Sequence, residues 1–472
     1  MTGQLLKNQL LYSILILGFT FAAQVNAKDH KESSAEKPGK ERQALENPRI
    51  VVQENLQEVP EVTVTSGDET QSKPADIKVG DSLAQADNVE GPLVRFTPGS
   101  KTILGKTDII MEAARFPLTY VQEHVPYLTK RNIIFFGRVE LDASIYSSGI
   151  LKEDSGFNIR RFRIGIAGLA RFIPGWYYKL EVDLTDGQNS LSDAYLSRRS
   201  KKWGTFRIGN QKVAQTLSGQ TSSLSTTFME RPLPVLAFTL DRRAGLGWDT
   251  HLRRLGANVT VFAGDPNNNI GSQGWAARGY FNPTRDRFQV LHIGASYLKL
   301  ISDADARLKA RPESHVTAIK LVDTGIRPGI DSHTALGLEL AGSKGPVTFK
   351  SEYYITEWSR SNQFKNLRFN GWYAEASWFL TGELALYHDG KFIRPNIRKE
   401  SGAWEVAFRA SSVDLNDKDI HGGTEKNLAV AVNWYSNTHW RLMGNLIKVK
   451  AEDGPHGTQA PWIVQFRVQY YF

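Results

Sequence analysis

No cysteine occurs anywhere in the 472 residues. That absence excludes disulfide scaffolds, thiol nucleophiles, cysteine zinc sites, iron–sulfur clusters and cysteine-anchored lipoproteins. Long apolar runs are almost as scarce: only residues 1–27 hold one approaching spanning length, and mean hydropathy is −0.36, which argues against a bundle of transmembrane helices. A membrane barrel survives this test, because its lipid-facing residues alternate with polar ones and the average stays that of a soluble protein. Catalytic signatures are missing too. The ten histidines are scattered, and there is no His-Glu-x-x-His, no GxxxxGK loop and no GxSxG elbow. Nothing calls for a cofactor or a metal. The pairs Asp303 with Asp305 and Asp417 with Asp419 read as solvated loop residues, with calcium the minority alternative.

What is present is ordered along the chain. Residues 1–27 read as a cleavable secretory signal: Lys7, an apolar stretch from Leu10 to Phe21, then Val25-Asn26-Ala27 as the cleavage site. An uncleaved anchor helix is the alternative. Residues 28–91 are rich in Glu, Gln, Lys, Ser and Pro without a sustained period, and are expected to be a disordered charged extension. Residues 92–130 are expected to be an ordered lead-in, and residues 131–472 the main domain. Residues 28–130 carry 13 basic and 17 acidic side chains; residues 131–472 carry 44 and 32. The positive excess of the exported chain therefore belongs to the main domain.

That domain alternates with period two, the signature of half-buried strands. Phe135, Val139, Leu141, Ala143 and Ile145 oppose Arg138, Glu140, Asp142 and Ser144; the final segment places Trp462, Val464, Phe466, Val468, Tyr470 and Phe472 on one face. Turn pairs such as Pro174-Gly175, Gly345-Pro346 and Gly422-Gly423 separate the runs. A secreted sandwich alternates in the same way. Two features favour a membrane: aromatics crowd the strand ends, as in Trp176-Tyr177-Tyr178, Trp434-Tyr435 and Tyr470-Tyr471-Phe472, and the chain closes on an aromatic strand end. The expected fold class is therefore all-β, a transmembrane antiparallel β-barrel of 16 to 18 strands, with blurred strand ends between Ile301 and His333, enclosing an aqueous channel.

Several segments, in order, resemble the phosphate-selective porin O and P family. They include Phe136-Gly137-Arg138, Asn158 to Arg163, Trp176 to Glu181, Thr221-Ser222-Ser223 with Phe228 to Arg231, Asp241 to Gly247, Ala376 to Glu383, Gly402 to Val406, and Asn433-Trp434-Tyr435. The resemblance covers nearly all of residues 131–472. It implies a sixteen-stranded barrel in a Gram-negative outer membrane, usually a homotrimer, in which a long loop folds inward and basic side chains guide small anions, phosphate among them. Nucleic acid is not an expected partner, and Arg198-Arg199-Ser200-Lys201-Lys202 reads as a periplasmic turn. A closed structural or adhesive barrel is the alternative.

The inward constriction loop is expected between Gln211 and Arg243, with Thr221, Ser222 and Ser223 offering hydroxyls and Glu230 and Arg231 fixing the loop. The expected anion-binding pore lining is Arg138, Arg160, Arg161, Arg163, Arg307, Lys309 and Arg311. Arg307, Lys309 and Arg311 stand two apart and share one face of an extended chain, so on a lumen face they would form a ladder; a solvated loop is the other reading. Arg160 breaks the parity of its strand, which suggests a bulge or a rim position. Where the phosphate-selective members carry lysines, this chain has Tyr177, Gly219 and Leu224, so the expectation is anion preference with weak phosphate discrimination.

Overall fold

The computed structural model describes residues 133–472 except 171, 186–189, 267–269, 302–305, 361–363 and 398. The expected signal at 1–27, extension at 28–91 and lead-in at 92–130 lie outside the described residues, as do Asp303 and Asp305.

The strands are β1 (Ile133–Tyr146), β2 (Gly156–Leu169), β3 (Trp176–Asp183), β4 (Ser190–Ser200), β5 (Gly204–Lys212), β6 (Arg242–His251), β7 (Leu255–Asp265), β8 (Ile270–Phe281), β9 (Gln289–Ile301) and β10 (Lys309–Ala310). They continue as β11 (Val322–Asp323), β12 (Ile330–Lys344), β13 (Val347–Arg360), β14 (Leu367–Phe379), β15 (Leu386–His388), β16 (Lys391–Ile393), β17 (Ala403–Asp417), β18 (Ile420–Tyr435), β19 (Trp440–Glu452) and β20 (Trp462–Tyr471). Sixteen of them, all but β10, β11, β15 and β16, close into one antiparallel barrel in chain order, sealed by β1 against β20. Closure leaves no edge strand, which is what allows a sheet to stand in lipid. The blurred stretch after Ile301 is the small β10–β11 sheet, which does not join the wall.

The period-two pattern sorts solvent as expected. In β20 Trp462 and Phe466 are exposed outward, while Gln465, Arg467 and Gln469 are buried inside. Aromatics gather where the outer face meets the shorter turns: Trp404 stacks on Trp434 with centroids 5.9 Å apart, Trp440 lies 4.6 Å from Tyr470, and Trp248 Nε1 donates to the Trp203 carbonyl at 2.6 Å. This is the interfacial girdle. The turns at that end include residues 201–203 and 345–346, and β1 begins and β20 ends there. Short turns mark the periplasmic side. The turn at 201–203, with Arg198 and Arg199 just before it, falls on that side.

Two long loops enter from the opposite, outer end and fill much of the lumen. Residues 213–241 carry the helices α1 (Leu217–Gln220) and α2 (Leu233–Phe238). Pro232 and Pro234 suit the start of α2, where missing N–H groups cost nothing. Leu233, Val235 and Phe238 pack with Leu308 and Val322 of the second loop, described over residues 306–329, against Tyr354, Trp358, Phe369 and Val413 of the wall. The lumen beside β13, β14 and β17 is thus a packed core rather than water.

A third intrusion comes from the periplasmic end. Between β14 and β17 residues 386–393 form an inward hairpin, β15–β16, where a plain turn would serve. Its Tyr387 hydroxyl meets His292 Nδ1 at 2.6 Å and accepts from Asn282 Nδ2 at 3.1 Å, and Arg278 Nη2 donates to the Gly390 carbonyl at 2.7 Å. Phe392 packs with Leu217, Val290 and Ala341.

Candidate functional site

The inward loop is held by main-chain carbonyls that three wall arginines grip. Arg441 donates to the carbonyls of Thr226 (2.8 Å) and Thr227 (3.1 Å), Arg467 to that of Met229 (2.6 Å), and Arg409 to that of Glu230 (3.0 Å). Phe228 lies fully buried under the Arg409 guanidinium, 4.1 Å from centroid to Cζ. Arginine suits this task because its planar fork reaches several acceptors at fixed angles.

Glu230 supplies the charged pin. Arg160 donates Nε to Oε1 at 2.7 Å and Nη2 to Oε2 at 3.0 Å, and Arg467 Nη2 reaches Oε1 at 2.8 Å. Burial alone would raise the Glu230 carboxyl; the Arg160 charge and hydrogen bonds, with the charges of Arg467 and Arg161, outweigh it and hold the group well below its ordinary value. The odd parity of Arg160 has a structural cause. Glu140 pairs with Arg161 but Leu141 pairs with Ile159, so Arg160 is the extra residue of a bulge. The bulge turns its side chain inward to Glu230.

Between this loop and the strands β1 to β6 runs a charged cavity of about 440 Å³. Ten cationic side chains line it, against five carboxylates. Most of the cations are paired. Arg138 donates to Glu181 (3.0 Å) and to Ser223 Oγ (2.7 Å), Arg163 to Asp183 (2.6 Å), and Arg161 to Glu140 (2.5 Å). Lys179 and Arg242 share Asp193 at 2.5 and 2.6 Å, and Arg207 pairs with Asp249.

Three cations of this cavity hold no carboxylate among the described residues. Lys212 Nζ donates to the carbonyls of Gly219 (3.0 Å), Gln220 (3.3 Å) and Thr221 (2.9 Å). Arg231 donates to the carbonyls of Ser218 and Thr221, the latter at 2.9 Å. Both therefore cap the C-terminal end of α1, fixing the loop without an ion pair to a carboxylate, although the nearby Asp241 charge acts on both. Lys391, on the inward hairpin, is the third; burial, then the neighbouring Arg207, pushes its ammonium pKa down.

Two further cavities share walls with this one. The outer one, about 630 Å³, meets it at Arg160, Glu230 and Leu236 and is lined by Arg307, Lys309 and Arg311. The periplasmic one, about 480 Å³, meets it at Arg138, Arg163 and Lys179. The three adjoin one another beside the inward loop through these shared residues.

All seven basic residues expected along the pore line at least one of these cavities. The parity argument for Arg307, Lys309 and Arg311 holds locally: Leu308 and Ala310 between them are buried, and Lys309 is exposed. Their segment is not a spanning strand. It is a loop strand two residues long, paired with Val322–Asp323, so the three stand at the outer mouth rather than forming a ladder on the wall, and Arg307 is matched by Asp323. Of the loop hydroxyls, Ser223 accepts from Arg138 and Ser222 caps the Leu224 N–H at 3.3 Å; Thr221, buried, donates to the Leu217 carbonyl at 2.8 Å. Sequence reasoning missed Lys179, Arg207, Lys212 and Arg242 as lining residues. Strand parity could have found Lys179 and Arg207, which alternate with outward Leu180 and with Phe206 and Ile208. No pattern in the sequence pointed to Lys391.

A closed sixteen-stranded barrel with an aromatic girdle, an inward loop and charged cavities in its lumen is an outer-membrane porin. Residues 134–472 match the family described as phosphate-selective porin O and P, and the chain belongs to that family. Among curated relatives, Porin O of Pseudomonas aeruginosa is 25% identical over 363 residues, 67% of this chain and 82% of that protein. An uncharacterized protein of Caulobacter vibrioides is 28% identical over 334 residues, 65% of this chain and 66% of that one, just under two thirds of its length. Among solved structures, OprB of Pseudomonas putida superposes with a TM-score of 0.52 at 9% identity, over 74% of this chain and 96% of that one, a likeness of fold alone.

Proposed function

We propose that the protein is a passive channel for small anions, which enter at the mouth lined by Arg307, Lys309 and Arg311 and pass the constriction along β1 to β6. The observation that carries this is the cation excess of the constriction cavity, ten cationic side chains against five carboxylates, with Lys212, Arg231 and Lys391 in no ion pair among the described residues. Uncompensated positive charge beside low-dielectric walls concentrates anions and excludes cations. The paired arginines contribute differently. Each is already neutralised by a carboxylate, so Arg138, Arg160, Arg161 and Arg163 offer hydrogen-bond donors and loop anchorage more than net field. A row of moderate sites passes an ion onward without trapping it.

Discrimination of phosphate is weak on this reading. Gly219 and Leu224 line the constriction and the periplasmic cavity without charge, and Tyr177 is exposed, where the phosphate-selective pattern places lysines. The chain is exported by a signal at residues 1–27 and assembles as a homotrimer in the outer membrane. The test is reversal potential across a potassium chloride gradient in planar bilayers: a chloride-selective sign is expected, and a potassium-selective sign overturns the reading. Absence of any current favours the closed structural barrel. Block of chloride current by micromolar phosphate overturns the weak-discrimination part alone.

A further inference from the structure

The periplasmic cavity differs in chemistry from the constriction it adjoins. Ile134, Phe136, Leu224, Leu386 and Ile393 give it an apolar wall. Phe136 packs close against the bare backbone of Gly165, where an added Cβ would fall 2.4 Å from its ring. Four cationic side chains and one side-chain carboxylate complete the charged lining, beside Phe472, whose main-chain oxygen accepts from the Gly137 N–H at 3.0 Å. The carboxylate, Glu181, is shared by three of those cations: Arg138 at 3.0 Å, Lys179 at 3.2 Å and Arg163 at 3.3 Å. The fourth, Arg394, has no carboxylate or hydrogen-bond partner among the described residues; its Nη1 is buried and unmatched, and its Cζ stands 3.7 Å from the centroid of the Tyr471 ring.

We propose that this cavity is a second binding site, distinct from the constriction, for organic anions that carry a carboxylate on an aromatic or similarly apolar body. A guanidinium withdrawn from water without an anion is costly, and stacking on a tyrosine recovers only part of that cost. An entering carboxylate completes the fork with two parallel hydrogen bonds. The apolar wall beside the fork rewards a ring and gives nothing to a bare inorganic ion. Burial lowers the Arg394 pKa to about 10, so the group stays charged at neutral pH. The cavity lies beyond the constriction, on the periplasmic side, so it acts on solutes leaving the channel or approaching from that side.

The inference rests on the open-channel reading above, and one set of bilayer recordings separates the two. Chloride current through the full-length mature protein is measured with benzoate, acetate or inorganic phosphate added on each side in turn. Benzoate from the periplasmic side is expected to block at concentrations about tenfold below acetate, the worth of burying one ring face, with phosphate no better than acetate. Arg394→Gln should abolish benzoate block and Arg394→Lys should weaken it. Leu224→Ser, which thins the apolar wall without touching the fork, should narrow the gap between benzoate and acetate. Equal block by benzoate and acetate in the wild type, or undiminished benzoate block in Arg394→Gln, overturns the proposal while a chloride-selective reversal potential leaves the channel reading standing. A potassium-selective reversal potential overturns both.

Discussion

Replacing Glu230 by glutamine removes the charged pin of the inward loop while keeping its size. The two arginines that face it lose unequal amounts. Arg467 keeps both oxygens of Asp142, at 2.6 and 2.7 Å, and the Met229 carbonyl. Arg160 keeps only the glutamine carbonyl as acceptor and loses its sole carboxylate among the described residues, although 17% of its side chain reaches solvent. Breaking a buried pair by removing one partner costs about 3–5 kcal/mol, and partial rehydration of Arg160 places this case near about 3 kcal/mol. That corresponds to an increase of about 10²-fold in the weight of conformations in which residues 228–231 leave the wall. The barrel itself should not unfold, because the grips of Arg409 and Arg441 on loop carbonyls remain. The readout is single-channel current: Glu230→Gln should raise mean conductance and open-channel noise. Arg160→Gln should do the same, and the double variant should add little to either single one, because both remove one interaction. Additive effects of the two substitutions, or a Glu230→Gln channel as quiet as wild type, would refute the pin.

Other outcomes follow from the same geometry. Lys212→Gln removes a cation that makes no ion pair among the described residues; at about 8 Å in a watery lumen a unit charge is worth roughly 0.5 kcal/mol to each ion, so the anion-to-cation permeability ratio should fall by up to roughly fivefold, measured by reversal potential. Because the Glu230 pKa is held below its ordinary 4.5, the anchoring it provides is complete above that value and is lost as pH falls through the lowered one, so channel noise should rise only on strong acidification. Arg278→Met leaves Glu339 facing His292 without its guanidinium and frees the Gly390 carbonyl, so the inward hairpin should loosen, conductance should rise, and assembly yield should drop as expected for a cost of about 3 kcal/mol. Phosphate at micromolar concentration should leave chloride current unchanged.

The wall was legible because lipid imposes a rule on every second residue. Phe162 and Ile164 must meet hydrocarbon, so Arg161 and Arg163 must face inward, and no tertiary information is needed to say so. The irregularity was legible for the same reason: Arg160 broke the rule, and a bulge is what a broken alternation means. The first inward loop was legible through its length, its prolines and the apolar core Phe228-Met229 that a solvated loop has no use for. The place of Arg307, Lys309 and Arg311 was not fixed by their period-two spacing, because a two-residue loop strand and a spanning strand write the same pattern over five residues. Only the pairing partner tells them apart, and Val322–Asp323 is a local one.

The inward hairpin was the hardest feature to read, and the reason is instructive for the function. Residues 386–393 alternate too little to look like a wall strand, and what holds them lies far away in sequence: His292 and Arg278 are about a hundred residues distant, and their partner Glu339 sits on a third strand. A loop that reaches into the lumen from the periplasmic end brings Lys391 to the constriction and Arg394 to the cavity beyond it. Lys212 and Arg231 spend their hydrogen bonds on holding the outer loop, yet their charge is not consumed by that work, since carbonyls accept donors without neutralising a cation. Selectivity and architecture can therefore share the same side chains: where a wall arginine is fixed by a carboxylate the field cancels, and where a lysine is fixed by backbone oxygens it persists. The net positive path follows from which acceptor each cation was given, a choice that the count of basic residues alone does not reveal.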